Sequence, residues 1–170
     1  NVIYCGDCLT RMKRYIPDES IDLIYLDPPF FSEKNYENFW IKNKSYKFKF
    51  SDRDWERFKG KINPQTLEEC KHIGERWKGG KKGIWVYIAY MKERLTQCER
   101  ILKPTGSIYL HCDWHAGHYL KVMMDEIFGY DNFRNEIAWC YRTGGASRDH
   151  FSRKHDTILF YSKTKNYTFN

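Results

Sequence analysis

The chain has 170 residues, with 29 Lys and Arg against 22 Asp and Glu for a net charge of +7, and it is 41% hydrophobic and 18% aromatic. This apolar and aromatic content excludes a disordered polypeptide, and the length suits one domain that buries roughly 70% of its unfolded surface. No apolar run approaches the ~20 residues of a membrane-spanning helix and no leader-like segment opens the sequence, so a cytoplasmic, membrane-free protein is expected.

Residues 2–5 form a short apolar run ending at Gly6-Asp7, which reads as a strand meeting a turn. Leu9, Met12 and Ile16 then share one face of a short helix over 9–16. After a turn at 17–20, residues 21–26 are almost continuously apolar, the pattern of a strand buried on both faces of a parallel sheet, and they stop at Asp27-Pro28-Pro29-Phe30. Residues 31–83 show no clean period; Asn63-Pro64 and the glycines at 79–83 mark turns, with one or two short helices expected among irregular chain. Trp85, Ile88, Met91, Leu95, Cys98 and Leu102 repeat at three to four residues and predict a helix over 84–103, ended by Pro104-Thr105-Gly106. A strand over 107–112 follows, then a helix over 115–128 stopped by Gly129, then strands over 135–141 and 157–162 around Gly144-Gly145. Strands alternating with helices predict an α/β fold with a largely parallel sheet, one domain over 1–170 with an insertion at 31–83.

The charge is uneven: −2 over 1–30, +6 over 31–83, −1 over 84–140 and +4 over 141–170. The basic middle is also aromatic. Tyr36, Phe39, Trp40, Tyr46, Phe48, Phe50, Trp55 and Phe58 interleave with Lys42, Lys44, Lys47, Lys49, Arg53 and Arg57. Cations for phosphates beside flat rings for bases make a nucleic-acid surface, and those six basic residues are the candidate nucleic-acid contacts. A lysine-rich solvated loop with its rings in the core has the same composition.

Of the six cysteines, Cys5, Cys8, Cys70, Cys98, Cys112 and Cys140, several fall inside apolar strand or helix patterns that suit reduced thiols. Cys5 and Cys8 form a lone CxxC with no second pair, and His111 and Cys112 alternate along a strand, so no metal site is expected.

Ligands of open α/β sheets bind beyond the carboxyl ends of the strands, where Asp27-Pro28-Pro29-Phe30 lies. The prolines fix φ and carry no N–H, so the turn is rigid and its carbonyls are free to face a ligand. Asp27 adds a carboxylate acceptor and Phe30 a flat apolar face. Two acceptors on the N–H groups of an exocyclic base amine favour a more tetrahedral nitrogen and free its lone pair for attack on a methyl group. Phe30 would stack on a base flipped from the duplex. An ordinary turn after a strand would use the same residues.

The sequence resembles the DNA amino-methyltransferases, in particular the permuted class in which the catalytic motif precedes the cofactor glycine loop. The resemblance is carried by Gly6-Asp7-Cys8, by Asp22-Leu23-Ile24-Tyr25-Leu26-Asp27-Pro28-Pro29-Phe30, by the run from Arg100 to His111, and by the segments 132–137 and 154–163. It implies a Rossmann-like methyltransferase fold, S-adenosylmethionine as cofactor and double-stranded DNA as partner. It places Asp27, Pro28, Pro29 and Phe30 in catalysis and Asp7, Cys8 and Asp27 on the cofactor side. It tilts the target toward adenine N6, since Asp rather than Ser stands at position 27; cytosine N4 is the alternative. His111 at the end of the neighbouring strand and Asp113 just after it are candidate pocket supports, with helix capping the other role open to Asp113.

No Phe-x-Gly-x-Gly loop follows a buried strand anywhere in the 170 residues. Only glycine lets a backbone approach the methionine end of the cofactor closely. The expectation is therefore an incomplete catalytic domain that holds the cofactor poorly alone, completed by a C-terminal segment or second polypeptide and associated with a restriction subunit. A nucleic-acid-binding piece without methyl transfer, and an unrelated nucleotide-processing enzyme, are the competing readings.

Overall fold

A computed structural model describes residues 2–31, 40–41, 44–45, 58–75, 83–142 and 148–169. Among them the helices are α1 (Cys8–Tyr15), α2 (Pro64–Glu75), α3 (Ile84–Ile101) and α4 (Gly117–Phe128). The strands are β1 (Ile21–Leu26), β2 (Trp40–Ile41), β3 (Lys44–Ser45), β4 (Leu102–Cys112), β5 (Phe133–Cys140) and β6 (His155–Ser162). The main sheet runs β1-β4-β6-β5, and β2 and β3 form a separate antiparallel pair.

β1 and β4 pair in parallel, while β6 is antiparallel to both β4 and β5. The α/β layout is as expected. The largely parallel sheet needs a correction in its ladders: β1, β4 and β5 point one way, but the reversed β6 sits between β4 and β5. A parallel pair needs a long crossover, usually a helix, and among the described residues no helix separates β5 from β6.

α3 is the centre of the core. Val86, Ile88, Ala89, Met91 and Leu95 are completely buried, as are Ile108 and Leu110 of β4, Leu120 and Met124 of α4 and Tyr161 of β6. Burial of each large side chain contributes about 1.5–3 kcal/mol. The helices cover the sheet face that carries Ile108, Leu110 and Cys112. On the opposite face Tyr109 stacks on Phe160 at 4.4 Å, and Phe160 meets Tyr167 and Phe169.

β1 is not buried on both faces. Ile24 and Leu26 turn toward the core, but Leu23 and Tyr25 are more than half exposed. β1 is the edge strand of the described sheet, and among the described residues nothing covers its outer face. The expected strand over 2–5 does not form either: no described strand pairs with it, and Val2 and Ile3 are exposed. An apolar run without a ladder partner is not a strand.

Two boundaries move for local reasons. Asn63-Pro64 begins a helix instead of marking a turn. The Asn63 side-chain oxygen accepts the Gln65 N–H at 2.9 Å, and Pro64 occupies the first helical position, where its missing N–H costs nothing. Lys92 of α3 then ties α2 to α4 through Glu69 at 3.0 Å and Glu126 at 2.7 Å. β4 starts at Leu102, earlier than expected. Leu102 pairs with Ile21 and Ser107 with Leu23, so residues 103–106 bulge out between them.

The bulge depends on Gly106. A Cβ there would lie 2.9 Å from Leu102 Cδ2 and 3.0 Å from the Ile21 carbonyl oxygen. Gly106→Ala is therefore expected to lower stability by about 1–3 kcal/mol in urea unfolding, from overpacking at a strand junction. Gly60→Ala, at a glycine with nothing within 4 Å of its added Cβ, is the control and should change little.

Candidate active site

The parallel register sets Leu26 beside Leu110, so the residues one step further, Asp27 and His111, stand side by side. Asp27 Oδ1 lies 3.3 Å from His111 Nδ1. The Asp27 side chain is 61% exposed, while Pro28 directly after it is buried. Phe31 is also buried and packs on Tyr87 of α3 at 5.7 Å. The turn is thus pinned at Pro28 and Phe31, and the carboxylate between the strand and the first pin faces outward. Phe30 meets the His111 ring edge-on, with centroids 4.9 Å apart and planes at 76°. The structure therefore brings Asp27, Phe30 and His111 together.

On its far side the His111 ring faces β6. Nε2 is buried without a hydrogen bond, 3.5 Å from Asp156 Oδ2. Just past β5, burial pushes the Tyr141 phenol up, and the Asp156 carboxylate sharing its hydrogen bond pushes it further. Sequence patterns single out none of Asp156, Tyr141 and the anchor Phe31. Phe31 had a visible signal, an aromatic directly after the motif; Asp156 and Tyr141 had none, because only strand pairing brings them near Asp27.

Asp7 lies elsewhere, at the start of α1. Its Oδ2 accepts the Thr10 N–H at 3.0 Å and the Thr10 hydroxyl at 3.1 Å, which caps the helix, and its Oδ1 accepts from Arg94 at 2.5 Å. Arg94 is itself buried, with its guanidinium 3.3 Å from the Tyr90 ring centroid. Burial works to raise the Asp7 carboxyl, and the Thr10 amide and Arg94 guanidinium overcome it and hold it below the usual carboxylate range. Both oxygens of Asp7 thus serve the fold. Cys8, the first helical residue, is exposed.

Asp113 is buried, and its two oxygens hold the His115 N–H at 3.1 Å and the His115 ring Nδ1 at 2.6 Å. These bonds close the turn between β4 and α4; the residue that precedes α4 is Ala116, which makes no side-chain cap bond, so Asp113 does not cap that helix. Among the described residues no three His, Cys, Asp or Glu side chains are grouped as a metal site. Burial raises the thiols of Cys70 to about 11 and of Cys98 and Cys112 to about 12, so these cysteines stay protonated. Of the candidate DNA contacts, Lys44 is described at its backbone, where it pairs with Ile41; Lys42, Lys47, Lys49, Arg53 and Arg57 lie outside the described residues.

A family model for DNA methylases matches residues 21–170. The chain belongs to that family. Among similar proteins, the type III restriction-modification enzyme StyLTI Mod subunit of Salmonella typhimurium is 31% identical over 96% of this chain. The type II methyltransferase M.HpaI of Haemophilus parainfluenzae is 33% identical over 99%, and the DNA adenine methyltransferase YhdJ of Escherichia coli 26% identical over 97%. The chain spans only 24%, 41% and 42% of those three proteins. Among solved structures, the cytosine-N4-specific PvuII DNA methyltransferase superposes with a TM-score of 0.54 at 18% identity, over 95% of this chain and 49% of that one, and shows the shared Rossmann-like fold.

The depressed Asp7 carboxyl links stability to pH. Its folded value lies below the ~3.9 of an unfolded Asp, so its contribution is complete above that value and is lost as pH falls through the folded one. Because the side chain is 46% exposed, Asp7→Asn should cost only about 1 kcal/mol at neutral pH. Urea melts of the two proteins should converge on acidification.

Proposed function

We propose that the protein of which this chain is part transfers a methyl group to the N6 amine of adenine in double-stranded DNA, and that this chain supplies the amine-binding half of the site. The observation that carries the reading is the exposed Asp27 carboxylate, held at the carboxyl end of β1 by the buried Pro28 and Phe31, in a DNA methylase. The Asp27 carboxylate and the Pro28 carbonyl accept the two N–H groups of the flipped base. Pro29 keeps the turn rigid, and Phe30 stacks on the ring. The nitrogen lone pair, no longer fully delocalised, forms the new bond to carbon, and the nitrogen sheds a proton to water. S-adenosylmethionine, the donor the family implies, would supply the electrophilic methyl, with its sulfur as the atom that would keep the bonding pair, and the exposed Cys8 and Asp27 would be the residues of this chain on its side.

The fit to that donor is partial. Cys8 and Asp27 are exposed and remain available to it, whereas the Asp7 oxygens are already bonded within the chain. The residues holding its methionine end belong, in this reading, to a further segment or second polypeptide. A restriction subunit is the proposed larger partner, as for the Mod subunit relative. Lys42, Lys44, Lys47, Lys49, Arg53 and Arg57 grip the DNA backbone. The PvuII neighbour acts on cytosine N4 by its name, but at 18% identity it speaks for fold and not for target.

Labelled-methyl transfer by the full-length enzyme tests the reading, with digestion to nucleosides to separate N6-methyladenine from N4-methylcytosine. Asp27→Ala is expected to lower the rate roughly 100-fold or more. An unimpaired Asp27→Ala enzyme would overturn the catalytic assignment. Replacing the six basic residues together should weaken DNA binding and flatten its salt dependence by about 0.9 in log–log slope for each phosphate left without its cation.

A further inference from the structure

A row of polar side chains crosses the sheet strand by strand at the end where the site lies. Asp27 follows β1, His111 sits on β4, Asp156 on β6, and Tyr141 just past β5. The β4–β6 register pairs His111 with Ile158, and Asp156, two residues before Ile158, points to the same face. His111 is the centre of the row. Its Nδ1 is 3.3 Å from Asp27 Oδ1, and its Nε2 is 3.5 Å from Asp156 Oδ2. The ring is 18% exposed, and Nε2 is buried with no hydrogen-bond partner, a polar atom aimed at a carboxylate. Such an atom is costly unless it serves a purpose.

An exposed aspartate rotates about two torsions. To accept from an amine it must present one oxygen in one direction, and fixing that direction before the substrate arrives removes an orientational cost from the barrier. We propose that His111 is the positioning residue that does this. Its Nδ1–H donates to Asp27 Oδ1 and leaves Oδ2 as the oxygen for the target amine. The same ring, edge-on to Phe30, sets the plane on which the base stacks. Asp156, hydrogen-bonded in turn to Tyr141, lies behind the far edge of the imidazole and ends the row. This inference rests on the amine-binding reading of Asp27 and adds the group through which Asp27 is oriented.

The test uses the full-length enzyme and a DNA substrate. His111→Phe keeps a flat ring and removes the donor; His111→Asn restores a donor near the position of Nδ1. His111→Phe is expected to lower kcat roughly 30-fold while KM for DNA and for the methyl donor stays within about threefold. His111→Asn should recover most of that loss. In an Asp27→Ala background, His111→Phe should cost nothing further, because its effect runs through Asp27. Asp156→Asn is expected to give a smaller loss with the same background dependence, and it carries the cycle should His111→Phe melt below the assay temperature. A kcat within about threefold of wild type, or an equal loss with and without Asp27, would overturn the proposal. If Asp27→Ala abolishes transfer and the His111 variants do not, only this inference fails. If Asp27→Ala leaves transfer intact, the amine-binding reading fails with it.

Discussion

The site depends on one ladder, the parallel pairing of β1 with β4. Because side chains alternate along a strand, a slip of one residue in this pairing would turn His111 away from Asp27 and toward the helices. The register is set at the opposite end of the ladder, at the bulge of residues 103–106, where Leu102 and Ser107 pair with residues only two apart on β1. Gly106 permits the close approach, and Leu102, completely buried, holds the junction in the core. Stability chemistry at one end of β1 thereby determines the geometry at the other, with the strand as a rigid spacer.

The N-terminal segment is fastened to the same helix that organises the core. Arg100 of α3 donates to the Met12 carbonyl at 2.9 Å and the Ile16 carbonyl at 3.2 Å, satisfying the end of α1, and pairs with Asp18. Arg94, two turns earlier, holds Asp7 at the start of α1. A DNA methylase with a net charge of +7 has many cations to offer a polyanion, but Arg94, Arg100 and Lys92 are used internally. Total charge is therefore a poor count of DNA contacts.

Much of this was legible in the residues. The three-to-four spacing of Ile88, Met91, Leu95 and Cys98 marked α3, and Gly129 marked the end of α4, where its φ is +88°. The placement of Asp27 at a strand end was visible because an apolar run stops at two prolines. What could not be read was tertiary in origin. The outer face of β1 looks like a core strand, since Leu23 and Tyr25 are apolar, but among the described residues nothing covers it. The reversed direction of β6 has no local signature. The engagement of Asp7 with Arg94, and of His111 with Asp156, joins residues far apart in sequence that no periodicity connects.

The interior position of β6 also bears on how the chain comes to be folded. During synthesis β1, β4 and β5 emerge first, and the strand that must lie between β4 and β5 is the last of the described strands to leave the ribosome. Until it does, one edge of β4 has no neighbour, and Asp156 is not yet present beside His111. High contact order of this kind slows folding and leaves an open strand edge prone to stray pairing. The nascent chain thus cannot complete its polar row early: a truncation just before β6 takes away an inner strand of the sheet and, with it, the Asp156 end of the row.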